Sequence, residues 1–236
     1  MNKQSSVKRP YQSTLRQRQA QSTRLSIIEA SARLFIAQGY VTTSMDEIAA
    51  AAGVGRATVF ASVGGKAAIL KAAYDIATVG DDEPIPLPQR SWAIAVRNEP
   101  DPGRMIDGYA AMIAEISGRV APICEAMRGA AAADPEARAL WDAMRQERRG
   151  GAAGFVGFVV ARNALRTGVD RKMAGDVVWA LIDPGLYHLL VIEMAWPPAQ
   201  FQAWLAETVK GQLLQDPRRE PRGHEGFAPS PLSQGP

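Results

Sequence analysis

Ser44-Met-Asp-Glu-Ile-Ala-Ala-Ala-Ala-Gly53-Val54-Gly55-Arg56-Ala-Thr-Val-Phe-Ala-Ser62 is the stretch whose reading decides the fold. Ser44-Met45-Asp46-Glu47 is a capping box, in which the serine hydroxyl and the glutamate carboxylate satisfy orphan amides reciprocally. It opens a short, small-sided helix over about 45–52 that another helix can cross closely. Gly53 ends this helix and Val54 plugs the corner. A second short helix then runs from about Arg56 to Ser62. Two such helices joined by a tight glycine turn make a helix-turn-helix pattern.

Upstream, Leu25, Ile28, Ala32, Phe35 and Ile36 fall on one apolar stripe, so a longer helix precedes the pair, and Gly39 supplies its left-handed stop. Downstream, Gly64-Gly65 break the chain before a fourth helix over about 66–78. The geometry suits DNA: the first helix of the pair braces on the backbone and the second enters the major groove. The exposed face near Arg56, Ala57, Thr58 and Ala61 is the expected reader, with Val54 and Val59 turned inward. Arg56 has the fork for guanine, Thr58 suits a phosphate or a thymine methyl, and Lys66 at the start of the next helix suits a phosphate. Arg56 serves equally well as a phosphate or solvent contact, and Thr58 as a local cap.

Charge supports this reading. Residues 1–75 carry ten basic against four acidic side chains, and the first 25 hold no acid, whereas the rest of the 236 residues carry 17 basic against 20 acidic. A basic N-terminal third on a mildly acidic body fits a polyanion-binding module on a neutral scaffold. The basic, Gln/Ser-rich residues 1–18 read as a flexible arm, 19–79 as the helix-turn-helix domain, and the proline-rich 80–90 as a connection. Residues 91–214 read as a second, helical domain. Its segments fall at roughly 89–98, 104–119, 120–132, 135–164, 172–194 and 198–214, with a break at Pro122 and a kink or break at Pro184. Residues 215–236, with five prolines and three glycines, read as a disordered tail. The fold class is all-α.

The composition also excludes functions. A single cysteine, Cys124, permits neither an intramolecular disulfide nor a thiolate metal site, and it reads as a small buried hydrophobe. No apolar run approaches a membrane span and no signal-peptide core follows the basic start, so the expectation is a cytoplasmic chain without a membrane role. His188 lies five residues from both Asp183 and Glu193, which is not ligand spacing on an α-helix, and no nucleophile motif is visible. An enzyme using Asp183, His188 or Glu193 is therefore not expected, and neither is a cofactor.

From Arg24 to Tyr74 the sequence resembles the tetracycline-repressor (TetR) family of bacterial transcription regulators. The resemblance is carried by Ala32-Arg-Leu-Phe35, Gly39-Tyr40, Thr42-Thr43, Asp46-Glu-Ile-Ala49, Ala52-Gly-Val54, Thr58-Val-Phe60 and Lys66 with Ile69-Leu70. Trp179-Ala-Leu181, Pro184, Tyr187, Leu189-Leu190, Trp196 and Phe201-Gln-Ala-Trp204-Leu205 look like the last two helices of many members. The resemblance implies a homodimeric regulator, usually a repressor, that reads a palindromic operator on double-stranded DNA. It further implies a C-terminal ligand-binding and dimerisation bundle whose small-molecule inducer changes the separation of the reading heads. On that basis Thr43, Gly55, Phe60 and Ser62 join Arg56, Ala57, Thr58, Ala61 and Lys66 as DNA-site candidates. Tyr187, Leu190, Phe201, Trp204 and Leu205 are the dimer-interface candidates.

The chain departs from the family pattern. Gly55 stands where a capping serine is usual, Phe60 where a phosphate-binding tyrosine is usual, and Ser62 where histidine is usual. Val63 and Ala67 stand for the common Phe and Glu. The lost cap is expected to cost about 0.5–2 kcal/mol of helix stability. The competing reading is a family-like fold whose DNA head has degenerated, leaving a small-molecule or protein-interaction module.

Met105, Tyr109, Met112, Ile116, Met127, Trp141, Met144, Phe155 and Phe158 recur at helical spacing and are the candidates for an adaptable apolar pocket. The run Gly150-Gly-Ala-Ala-Gly154-Phe-Val-Gly157 costs about 1 kcal/mol per glycine in a helix. It reads as a close helix crossing or a hinge rather than a phosphate loop.

Overall fold

A computed structural model describes residues 11–215, and all elements below belong to that range. They are helical throughout: α1 Tyr11–Gln38, α2 Met45–Ala51, α3 Arg56–Ser62, α4 Lys66–Val79, α5 Ser91–Asn98, α6 Pro102–Ala133, α7 Pro135–Ala161, α8 Arg171–Leu181, α9 Pro184–Tyr187 and α10 Pro198–Leu213. A π-turn, His188–Glu193, prolongs α9, and a 3₁₀ turn at Leu87–Gln89 precedes α5. Among the described residues no single helix is long and apolar enough to cross a membrane.

The small helices form where their caps dictate. Ser44 Oγ accepts from the Glu47 amide, and the Glu47 carboxylate accepts from the Ser44 amide at 2.7 Å, completing the capping box. Those bonds hold the Glu47 carboxyl below its ordinary range. Gly39 and Gly53 take φ of 88° and 67°, the left-handed stops that the sequence calls for. The α1 stripe differs from expectation: Ile27, Ile28, Ser31 and Phe35 are buried, whereas Ile36 is half exposed.

Helix α1 begins at Tyr11, inside the segment read as a flexible arm, while residues 1–10 and the expected tail beyond 215 lie outside the described residues. Gln, Arg and Leu all have good helix propensity, and exposed turns ahead of a packed helix propagate without a new nucleus.

The larger correction is α6. The expected break at Pro122 does not occur, and one helix of 32 residues runs from Pro102 to Ala133. An interior proline costs roughly 3 kcal/mol or more. Burial of Val120, Ile123 and Met127 around that turn offsets it at about 1.5–3 kcal/mol per large side chain. Pro184 does interrupt its helix, as expected: α8 ends at Leu181, and Asp183 caps α9 through the Gly185 amide.

At about 48 Å long, α6 threads two cores. One is built on Ile27, Phe35, Ile48, Val59, Ile69 and Leu70 of α1–α4, and the C-terminal half of α6 and the N-terminal half of α7 close it through Met127, Ala137 and Met144. The other gathers Met105, Ile106, Phe155, Val178, Phe201 and Leu205 from α6, α7, α8 and α10. The helix-turn-helix unit is thus packed directly onto the bundle. Tyr40 Oη donates to Asp134 Oδ2 at 3.0 Å, and Arg119 of α6 donates to the Ala77 and Thr78 carbonyls ending α4, at 2.7 and 3.2 Å.

Candidate nucleic-acid interface and ligand cavity

Helix α3 buries Val59 completely, half-buries Val54 in the preceding turn, and leaves Arg56, Ala57, Thr58, Phe60 and Ala61 exposed on one outward surface. Arg56 Nη1 pairs with Asp46 Oδ2 at 2.9 Å, and its guanidinium lies 5.8 Å from the Phe60 ring centroid. Both partners are well exposed, so the pair contributes roughly 0–1 kcal/mol and does not hold Arg56 back from a stronger acceptor. Gly55 is the N-cap of α3, with no side-chain hydrogen bond. Its extended backbone is compatible with the cap, and glycine there costs only a few tenths of a kcal/mol relative to serine, so the expected 0.5–2 kcal/mol was too large.

Two expected DNA contacts are placed elsewhere. Thr43 is 1% exposed; its hydroxyl donates to the Gly39 carbonyl at 2.8 Å and accepts from Gln38, closing the end of α1. Lys66 Nζ donates to the Tyr40 and Thr43 carbonyls at 2.8 and 2.9 Å and sits 4.4 Å from the Tyr40 ring centroid. It fixes the start of α4 to the turn between α1 and α2 instead of facing outward. Ser62 is half buried, and its carbonyl accepts from Arg24 Nη1 at 3.1 Å.

In the bundle lies an apolar cavity of about 800 Å³. Of the expected pocket residues, Tyr109, Met112, Ile116, Phe155 and Phe158 line it. Met105 is buried in the bundle core, while Met127, Trp141 and Met144 pack against the helix-turn-helix unit. The reason is length: α6 and α7 both span the two cores, so equal helical spacing places one half of each helix in one core and the other half in the other.

Residues not foreseen complete the cavity. Tyr74 and Thr78 reach it from the C-terminal half of α4, and Gly151 and Gly154 from α7. The supposed connection contributes a wall of Pro84, Ile85, Pro86 and Leu87. Its signal was Ile85 and Leu87 alternating with prolines, unusual in a solvated linker. Arg90, only 7% exposed, fastens this wall with a bidentate bond to Asp81 at 2.7 and 2.8 Å and further bonds to the Glu83 and Ile85 carbonyls. That bond holds the Asp81 carboxyl below its ordinary range.

The expected dimer residues also separate. Tyr187, Phe201 and Leu205 are buried within the protomer, and Trp204 is half buried between Trp196 and Phe201. The outward apolar surface of this end is Leu189, Ile192 and Met194, 46–60% exposed, with Leu190 half buried beside them. The π-turn also brings His188 Nε2 within 3.4 Å of Glu193 Oε1, because a π-turn places i and i+5 on one face where an α-helix does not. Cys124 is 2% exposed, and burial pushes its thiol up to about 12, that of an inert core side chain. Among the described residues no three His, Cys, Asp or Glu side chains cluster where they could hold a metal ion.

Residues 27–73 match the family model described as bacterial regulatory proteins, tetR family. The structure of NalD, the secondary repressor of the MexAB-OprM multidrug efflux pump in Pseudomonas aeruginosa, is similar with a TM-score of 0.62 at 21% identity, covering 84% of this chain and 99% of that one. The SmeT–triclosan complex gives 0.64 at 17% identity, over 90% and 100% of the two chains. The TetR family transcriptional regulator PfmR from Thermus thermophilus gives 0.56 at 21% identity, over 79% and 93%. At these identities the likeness is one of fold. Among curated proteins nothing matches the chain.

Proposed function

Residues 27–73 carry the N-terminal DNA-binding domain of the tetR family of bacterial regulatory proteins, and from that premise we propose that this DNA-binding regulator is a homodimeric repressor of a palindromic operator, released by a small molecule. One observation carries the reading. Helix α4 starts directly after the recognition helix α3, and its C-terminal half walls the cavity through Tyr74 and Thr78. A ligand that binds one position of α4 better than another shifts the population of reading-head positions by that differential affinity. Arg119 clasps the same end of α4, so the cavity and the head share one rigid lever.

Arg56, Ala57, Thr58, Phe60 and Ala61 form the reading surface, with Arg56 the candidate for a guanine and Phe60 for a thymine methyl or sugar. Leu189, Leu190, Ile192 and Met194 form the self-association face; an apolar cluster of this kind on a helical end suits burial against a copy of itself. The chain acts in the cytoplasm by binding, without catalysis. The formed capping box and the fully buried Val59 favour a working head over a degenerate one.

Selection of bound sequences from random duplex DNA at near-physiological salt tests this reading. A twofold-symmetric motif is expected to enrich. Weak, steeply salt-dependent binding without a motif contradicts it.

A further inference from the structure

The glycines of α7 do something that neither a crossing nor a hinge accounts for. Gly175 of α8 meets the α7 backbone at Ala153, 3.6 Å from where its Cβ would stand, so the crossing is met there. A Cβ on Gly151 or Gly154 meets nothing within 4 Å, and both residues line the cavity. With Phe155 and Phe158 they occupy i, i+3, i+4 and i+7 of one helix face. The result is a flat backbone floor beside Phe155, whose ring is stacked on Tyr109 at 3.6 Å and 9°.

Two hydroxyls lack partners there. Tyr109 and Ser117 line the cavity, are 5% and 3% exposed, and neither hydroxyl meets a hydrogen-bond partner among the described residues. Both hydroxyls open onto the cavity, where a ligand acceptor can pair them. Burial raises the Tyr109 hydroxyl well above its ordinary range and keeps it a donor. Of the charged residues at the cavity, Arg148 pairs with Asp183 through one nitrogen and keeps a buried Nε without a partner among the described residues, Asp75 pairs with Lys71, and Glu147 and Arg97 are exposed. Asp183 already neutralises Arg148, so a charged ligand group in the apolar interior would lose its hydration without gaining a free counter-ion, whereas a neutral acceptor can still meet the Arg148 Nε.

We infer that the Gly151–Gly154 floor seats a planar, uncharged ring system beside Phe155, with separate carbonyl or ether oxygens accepting from Tyr109 and from Ser117. This inference rests on the ligand-responsive reading above and names its ligand class: flat, apolar, polycyclic molecules with an acceptor edge.

The test uses the full chain without DNA and Nile red as probe, an uncharged fused-ring dye with a carbonyl oxygen. Saturable binding at one dye per chain is expected. Gly154→Leu places a side chain in open space and is expected to weaken the dye by about tenfold or more without lowering Tm. Tyr109→Phe is expected to weaken it about three- to tenfold with the fold intact. Resorufin, an anionic dye of similar skeleton, and the saturated chain 1-dodecanol are expected to compete poorly. Absence of saturable dye binding, equal affinity of the native chain and Gly154→Leu, or competition by resorufin or dodecanol at the dye's own concentration overturns the inference. Because no DNA is present, these outcomes are independent of whether the head reads sequence.

Discussion

Replacing Lys66 by methionine separates two roles that a lysine at the start of α4 can play. In the structure its ammonium makes two charge-assisted hydrogen bonds, to the Tyr40 and Thr43 carbonyls, and lies over the Tyr40 ring. Bonds to charged groups contribute about 1.5–3 kcal/mol each, and a half-exposed cation–π contact about 0.5–1 kcal/mol. Methionine keeps the stem's packing against the ring and lets water reach the freed carbonyls, which returns part of that sum. The net loss is about 2–4 kcal/mol, or roughly 5–15 °C in Tm for a chain of this size. A phosphate contact instead leaves Tm alone and reduces the salt slope of DNA binding by about 0.9 per contact, near two units for a dimer. Thermal unfolding and a salt series on random duplex DNA read the two quantities separately. The structure predicts a lower Tm with an unchanged slope. An unchanged Tm with a slope shallower by about two units refutes the structural role.

Three further outcomes follow from the geometry. Arg56→Ala relaxes sequence preference by about 1–3 kcal/mol, more than the exposed Asp46 pair can hold back, and shows as lost discrimination between the selected duplex and a random one; equal weakening on both makes Arg56 a phosphate contact. Ile192→Glu places a charge in the centre of the exposed apolar patch while sparing the protomer core, so micromolar chain is expected to sediment as monomer, and an unaltered profile sinks the assignment of that face. The Ala137 amide first, then the Tyr40 hydroxyl, hold the Asp134 carboxyl below its ordinary range. A depressed folded-state pKa gives stability that is present above the ordinary value near 4 and is lost as pH falls through the folded value. Asp134→Asn is therefore expected to flatten the acid limb of Tm against pH, and parallel limbs for the two chains would count against that linkage.

What the sequence revealed of this fold was set by local rules. The bounds of α2 and α3 follow from Ser44, Glu47, Gly53 and Gly55, each of which acts within one turn. Local rules also misled. Pro122 is a helix breaker in isolation, yet it is carried through because the turns around it are buried in two cores. Helical spacing found Tyr109, Met112, Phe155 and Phe158 but could not tell them from Met127 and Met144, since helices of 32 and 27 residues keep their period while changing neighbours. Thr43 and Lys66 matched a family pattern whose meaning is structural here, and only the turn geometry discloses that. His188 and Glu193 are not neighbours at a period of 3.6 residues, and they meet because a π-turn does not obey that period.

The most direct test of the central claim compares affinities of the full chain for its selected duplex and for the same duplex with one half-site scrambled, at near-physiological salt. If two heads on one dimer read a symmetric operator, the scrambled duplex is bound at least about a thousandfold more weakly, close to nonspecific DNA. Affinities within a few-fold of each other would mean that a single head does the reading, and the dimeric repressor account would be wrong.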